Sequence, residues 1–352
     1  YNYQPIAIEI KQCMATIHNK NLFTNTNVYD AVVTLEKEGT LVEQQILTID
    51  VKPLEKKNVL LEMEIPDTGE YVLTLSFVLL EVVFSILHGG LVSYRYGGVE
   101  MLKAIPKPNF WRALTDNDVA NLLPFRAGQW KVASMFSTFK YNHGRAATDC
   151  TLEEAEDHIT VTYTYHLPVR PQMDCEVAYS VYGDGEVKVK MTMDPSAEVG
   201  ELPEYSMLFI MDADYDHLSW YGLGPEETYV DKCHAKLGLY HNKVADNMAK
   251  YLVPQECGNK TGVRYAKVTD EHGRGLLIQG DQLHFSALPY SPHELDNALH
   301  MTELPPVHYT FIRVGLEQMG VAGDDTWGAL THPEYLIDNS KKLTLTFSFR
   351  GI

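Results

Sequence analysis

The chain holds 352 residues, 45% of them hydrophobic, so its length suggests two domains and its composition an ordinary folded core. A formal charge of −18 argues against nucleic acid or an anionic membrane surface as partner, since either needs a positive face, and is compatible with a neutral ligand. No run of 18 apolar residues predicts a membrane span, and the scattered cysteines (Cys13, Cys150, Cys175, Cys233, Cys257) and histidines lack the spacings of a disulfide framework or a metal site, which points to a reducing compartment.

Tyr1-Asn2-Tyr3-Gln4-Pro5 does not resemble a signal peptide, and a start without Met points to trimming upstream. Apolar runs at Ala31-Val32-Val33-Thr34-Leu35 and Gln45-Ile46-Leu47-Thr48-Ile49 flank a turn near Lys37-Glu38-Gly39. Val59-Leu60-Leu61-Glu62-Met63 follows, then Pro66-Asp67-Thr68-Gly69 and Tyr71-Val72-Leu73-Thr74-Leu75-Ser76-Phe77. Short strands at this spacing, with Gly and Pro turns, predict an immunoglobulin-like β-sandwich over residues 1–80. A second domain is predicted over 82–352, beginning with Val82-Val83-Phe84-Ser85 and a strand from Gly89 to Tyr96. Strand runs almost directly into strand between Phe77 and Phe84, a join so short that residues are expected to be absent there.

Residues 109–118 (Asn109-Phe110-Trp111-Arg112-Ala113-Leu114-Thr115-Asp116-Asn117-Asp118) show neither strand alternation nor a sustained helical period. Such a loop is either a buried tie of capping side chains and rings or a positioned functional loop. Beyond it the period is two. Ile159, Val161, Tyr163 and Tyr165 alternate with threonines, as do Leu343, Leu345, Phe347 and Phe349 with Thr344, Thr346 and Ser348. Val187, Val189, Met191 and Met193 alternate likewise, after a hairpin turn at Gly183-Asp184-Gly185. Helix is scarce: Ser291-Pro292-His293-Glu294 predicts one short capped helix near 292–299. The fold class is all-β.

Four blocks carry a resemblance: residues 109–118; Trp220-Tyr221-Gly222-Leu223-Gly224-Pro225-Glu226-Glu227-Thr228-Tyr229-Val230-Asp231; Tyr251-Leu252-Val253-Pro254-Gln255-Glu256-Cys257-Gly258; and Gly320-Val321-Ala322-Gly323-Asp324-Asp325-Thr326-Trp327. In order and content they resemble the last domain of family 2 β-galactosidases of the Escherichia type, with Ala322 and Thr326 as departures. Asn21-Leu22-Phe23-Thr24-Asn25 is similar to part of the sandwich that precedes it.

The resemblance implies a large antiparallel β-supersandwich, galactose-mutarotase-like, for 82–352. It also implies that the catalytic glutamates and magnesium ligands lie on an upstream (β/α)8 barrel, so no catalytic residue is expected in this chain. Magnesium and an alkali-metal ion are implied for the complete enzyme only, which would be a cytoplasmic bacterial homo-oligomer acting on galactosides such as lactose. A retaining glycosidase needs two carboxyls about 5–5.5 Å apart. Glu226-Glu227 and Asp324-Asp325 are read instead as structural, because neighbours on a strand face opposite ways. By resemblance Trp327 is the stacking platform for a galactoside, held by Asp324 and Asp325. Asn109, Arg112 and Asp116 are weighed as substrate contacts, with Arg112 paired to Asp116 or Asp118. Trp220, Tyr221, Pro225, Tyr229 and Pro254 are read as packing and turn residues.

A small subunit of a two-chain β-galactosidase would resemble 82–352; the leading sandwich favours an excised portion. Rival readings are a free-standing carbohydrate-binding protein, a mutarotase-like enzyme using His300, His308 and Glu303, and a bare scaffold.

Overall fold

The computed structural model describes residues 6–352 apart from 12, 24, 38–39, 67–69, 79, 138–149 and 326. The expected turn residues Glu38, Gly39, Asp67, Thr68 and Gly69 therefore lie outside the described residues, as do Thr24, Thr326 and the segment 1–5. The chain divides into two compact units, Tyr1–Glu81 with Arg95–Val99, and Val82–Tyr94 with Glu100–Ile352.

The first unit contains β1 (Ile6–Lys11), β2 (Met14–Asn19), β3 (Asp30–Lys37), β4 (Thr40–Thr48), β5 (Lys56–Leu60) and β6 (Tyr71–Val78). They form two antiparallel three-stranded sheets, β1-β2-β5 and β4-β3-β6. Alternate residues of β2 (Ala15, Ile17) and β3 (Ala31, Val33, Leu35) turn into one core with Leu75 of β6, the half-buried pattern that period two dictates. The run expected at 59–63 is strand only through Leu60; Leu61 and Met63 continue as irregular chain, yet still enter the core.

The described strands of the second region are β7 (Leu80–Ser85), β8 (Gly90–Tyr96), β9 (Val99–Glu100), β10 (Lys107–Asn109), β11 (Cys150–Glu154), β12 (His158–Leu167), β13 (Met173–Tyr182), β14 (Val187–Met193), β15 (Glu204–Asp212), β16 (His217–Gly224), β17 (Lys236–Lys243), β18 (Lys260–Thr269), β19 (Gly275–Leu288), β20 (Tyr309–Gln318) and β21 (Leu343–Gly351). Twelve of them make one antiparallel sheet, running β10-β15-β20-β19-β21-β14-β13-β12-β11, with β18, β16 and β17 branching in turn from β19. The 14-residue β19 makes this possible: its first half pairs with β21 and its second with β20. The expected alternation appears in β12, β14 and β21, except that Ile159 stays exposed. Central β20 is buried on both faces over 310–315. The hairpin at Gly183–Gly185 joins β13 to β14 with Val181 opposite Val187.

Helix is less scarce than the pattern suggests. The expected α3 is present at Pro292–Asn297, with Ser291 and Glu294 forming its capping box. Two further helices precede it, α1 (Asp116–Ala120) and α2 (Leu123–Phe136). Residues 109–118 are thus not wholly loop: Asn109 ends a strand and Thr115 caps a helix. The signal for α2 was Leu123, Ala127, Trp130 and Ser134, all buried and three or four residues apart.

Candidate functional site

The loop between β20 and β21 is held from below. Arg112 is wholly buried and donates to the carbonyls of Met319 (2.5 Å) and Gly320 (2.9 Å), where that loop leaves β20. The same guanidinium pairs with Asp118 at 3.0 Å, which settles its partner as Asp118 rather than Asp116. Asp118 also accepts from Thr115 N as half of the capping box of α1, so one carboxylate fixes both the helix start and the arginine. Asn109 is equally buried, donating to Trp111 O and Ser206 Oγ. Asp296 of α3 ties down the stretch between them, accepting from Trp111 Nε1 (3.3 Å), Leu114 N (3.1 Å) and Lys131.

The loop itself is locked at three points. Asp231 Oδ2 accepts from Ala322 N at 2.8 Å, and a Cβ on Gly320 would come within 2.6 Å of that oxygen. Asn117 of α1 donates to Asp325 O at 2.9 Å. Asp325 Oδ1 accepts from Trp327 N (2.8 Å) and Ala329 N (3.2 Å), a local turn that sets the direction of Trp327. Gly328, at φ +106°, takes a conformation that L side chains rarely adopt, and a Cβ there would strike the Ala120 backbone. Trp327 is 86% exposed, and Asp324 is exposed with its Oδ1 2.8 Å from His332 Nε2. That hydrogen bond and charge raise the His332 pKa.

Loop and helix start form one side of a cleft of about 630 Å³. Opposite stand Glu227, Lys232, Tyr251, Gln255 and Glu256, so residues of all four sequence blocks meet there. Asp116, exposed, exchanges hydrogen bonds with Gln255 across the mouth. Glu227 accepts from Lys232 Nζ (2.8 Å), Tyr251 OH (2.8 Å) and Gly258 N (2.9 Å). Burial works to raise its pKa, but these donors outweigh it and hold the carboxyl below the usual range. At the floor, Glu256 grips buried Arg313 with both oxygens (2.6 and 3.0 Å), and Glu204 takes the same guanidinium at 2.7 Å. Burial and the neighbouring Glu256 raise the Glu204 pKa even so.

Of the six residues singled out from sequence, Asp116, Asp324, Asp325 and Trp327 reach the surface at this cleft or its loop; Asn109 and Arg112 lie beneath, bonded to the protein's own polar atoms, with only Arg112 Nε of the guanidinium unpartnered among the described residues. Glu226, Asp324 and Asp325 sit in bends and Glu227 in irregular chain, so the strand geometry invoked for these pairs does not apply to them. Glu227 is taken up by Lys232, Tyr251, Gly258 N and, at 3.5 Å, the Tyr229 hydroxyl. Glu227, Lys232, Tyr251, Gln255 and Glu256 were visible only as members of the second and third blocks or their flank. Trp220 and Tyr229 are buried as expected of packing residues, whereas Pro225 is exposed. His300 and Glu303 pair at 3.0 Å on the exposed surface, apart from this cleft. No group of three or more His, Cys, Asp or Glu that could hold a metal ion occurs among the described residues.

The chain matches the family described as "Beta galactosidase small chain" over residues 79–350, and "Beta-galactosidase, domain 4" over 15–82. A β-galactosidase of Priestia megaterium is 36% identical over 411 residues, covering 99% of this chain and 39% of its own length. The chain therefore spans about two fifths of that relative, which also carries segments without a counterpart among the 352 residues here. A β-galactosidase small subunit of Latilactobacillus sakei is 31% identical, over 73% of this chain and 88% of the subunit. A solved galactose mutarotase related enzyme of Lactobacillus acidophilus aligns with a TM-score of 0.38 at 11% identity, covering 78% of this chain and 94% of that one. On the family match and the small-subunit relative, the chain belongs to the β-galactosidase small-chain family.

Proposed function

We propose that this chain is the C-terminal, non-barrel part of a family 2 β-galactosidase of the Escherichia type, and that it supplies one wall of the galactoside pocket. The complete enzyme hydrolyses terminal β-D-galactosyl residues, as in lactose, with retention. The division of labour follows from this reading. A (β/α)8 barrel, elsewhere in the same polypeptide or on a large subunit, carries the two catalytic glutamates, the magnesium and the alkali-metal ion. This chain contributes shape, stacking and water exclusion, which act on substrate positioning. Residues 1–80 and 82–352 are its sandwich and supersandwich domains, and the complete enzyme is a cytoplasmic bacterial homo-oligomer.

The observation that supports the reading is the convergence of four distant blocks on one cleft whose loop presents an 86%-exposed Trp327. A sugar's C–H face packs on such a ring while its hydroxyls find polar partners. Asp116, Asp324 and Asp325 are the polar partners within reach of the solvent; Arg112 positions the loop from beneath, and Asn109 braces the stretch that carries Arg112. The test is hydrolysis of a chromogenic β-galactoside by the chain alone and mixed with a matching barrel chain. Silence alone and activity on mixing is the expected result. Turnover by the chain alone would overturn the reading.

A further inference from the structure

A second cleft, of about 610 Å³, adjoins the first, and the two share the Glu227–Lys232 ion pair as a common wall. We propose that this second cleft is an outer subsite for a neutral hexose unit, so that a galactoside longer than a disaccharide spans both clefts. The proposal rests on the reading of the first cleft as a galactoside wall.

Three features select that ligand class. The first is an aromatic surface. The Tyr240 ring lies 5.3 Å from that of buried Trp220, and its hydroxyl is anchored on Lys236 O at 2.9 Å. It presses so closely on Gly224 and Gly238 that a Cβ at either would meet it at 2.9 or 3.0 Å. A ring fixed in this way is a ready platform for a sugar face.

The second is charge balance. Carboxylates Glu226, Glu227 and Asp246 and ammoniums Lys232, Lys250 and Lys260 line the cleft in equal number, Glu227 and Lys232 as an ion pair. Neither an anion nor a cation gains a net attraction there, whereas a polyhydroxyl ligand finds both donors and acceptors. The third is a built donor. Lys260 is only 2% exposed; its Nζ donates to Pro225 O at 3.1 Å and sits 4.9 Å from the Trp220 ring centre. Among the described residues that employs one of its three N–H directions on an oxygen, and the side chain lines the cleft. Burial lowers its pKa to about 8. A sugar hydroxyl is a further acceptor for the remaining N–H directions.

The experiment is amide NMR titration of the full chain with lactose, with β-1,4-galactotriose and with inorganic phosphate. Backbone shifts at Tyr240, Asn242 and Lys250 with galactotriose, absent with phosphate, are expected. Tyr240→Ala, or the isosteric Glu226→Gln as a variant that preserves packing, should weaken those shifts at least fivefold in affinity while shifts at Asp325 and Thr115 persist. Shifts confined to Asp325 and Thr115 would overturn this subsite and leave the first cleft's reading standing. Shifts confined to the second cleft would support a sugar site there and count against the wall. A response to phosphate alone, or to none of the three probes, overturns the proposal.

Discussion

Lys260 shows what burial does to one charged group. Desolvation depresses its pKa from 10.5 to about 8, so between these values the unfolded chain binds more protons than the folded one. Burying Lys260 therefore costs most below pH 8, and the cost is relieved as pH rises through that window. Lys260→Met should remove this slope, which approaches about 1.4 kcal/mol per pH unit at its steepest. Urea unfolding of both proteins at pH 7, 8 and 9 checks it: the variant's advantage should shrink as pH rises. His332 runs the other way, since Asp324 favours the imidazolium. In Asp324→Asn its NMR-measured pKa should fall back toward 6.5.

At the scale of the element, the β20–β21 loop is positioned by parts it never touches in sequence. Arg112 ties the loop's root to α1 through Asp118, and removing one member of a buried pair leaves the other uncompensated. Arg112→Met should cost about 3–5 kcal/mol, read from the urea midpoint at unchanged slope. It should also speed hydrogen exchange at the amide of Ala322, whose acceptor Asp231 no longer faces a fixed loop. Gly328→Ala perturbs the same loop by a different route, through its positive φ and the Ala120 backbone. Native fluorescence of Trp327 should change in both variants, because each moves its base.

Across the whole molecule, a sheet of twelve strands carries a cleft made from four separated blocks. Trp327→Ala removes an exposed ring and should leave the unfolding midpoint within about 0.5 kcal/mol of wild type. In the reconstituted enzyme it should raise KM and lower kcat/KM for the chromogenic galactoside at least tenfold. An unchanged kcat/KM would remove Trp327 from the pocket.

What the sequence determined alone was the periodic part. Alternation in β12, β14 and β21 needs no tertiary context, because period two on a half-buried sheet shows in every second residue. The capping box of α3 was equally local. Helix α2 was not anticipated, although Leu123, Ala127, Trp130 and Ser134 carry its apolar spacing, because that spacing follows directly on a stretch whose density of rings and carboxylates masks the helical period. The site was legible as four blocks and not as a place. Which carboxylate pairs with Arg112, why Asn109 is buried while Asp116 is open, and that Glu227 faces both clefts depend on contacts between residues far apart in the chain. Only tertiary structure decides those, since identical side chains become buried anchors or stay open to solvent according to which neighbour reaches them first.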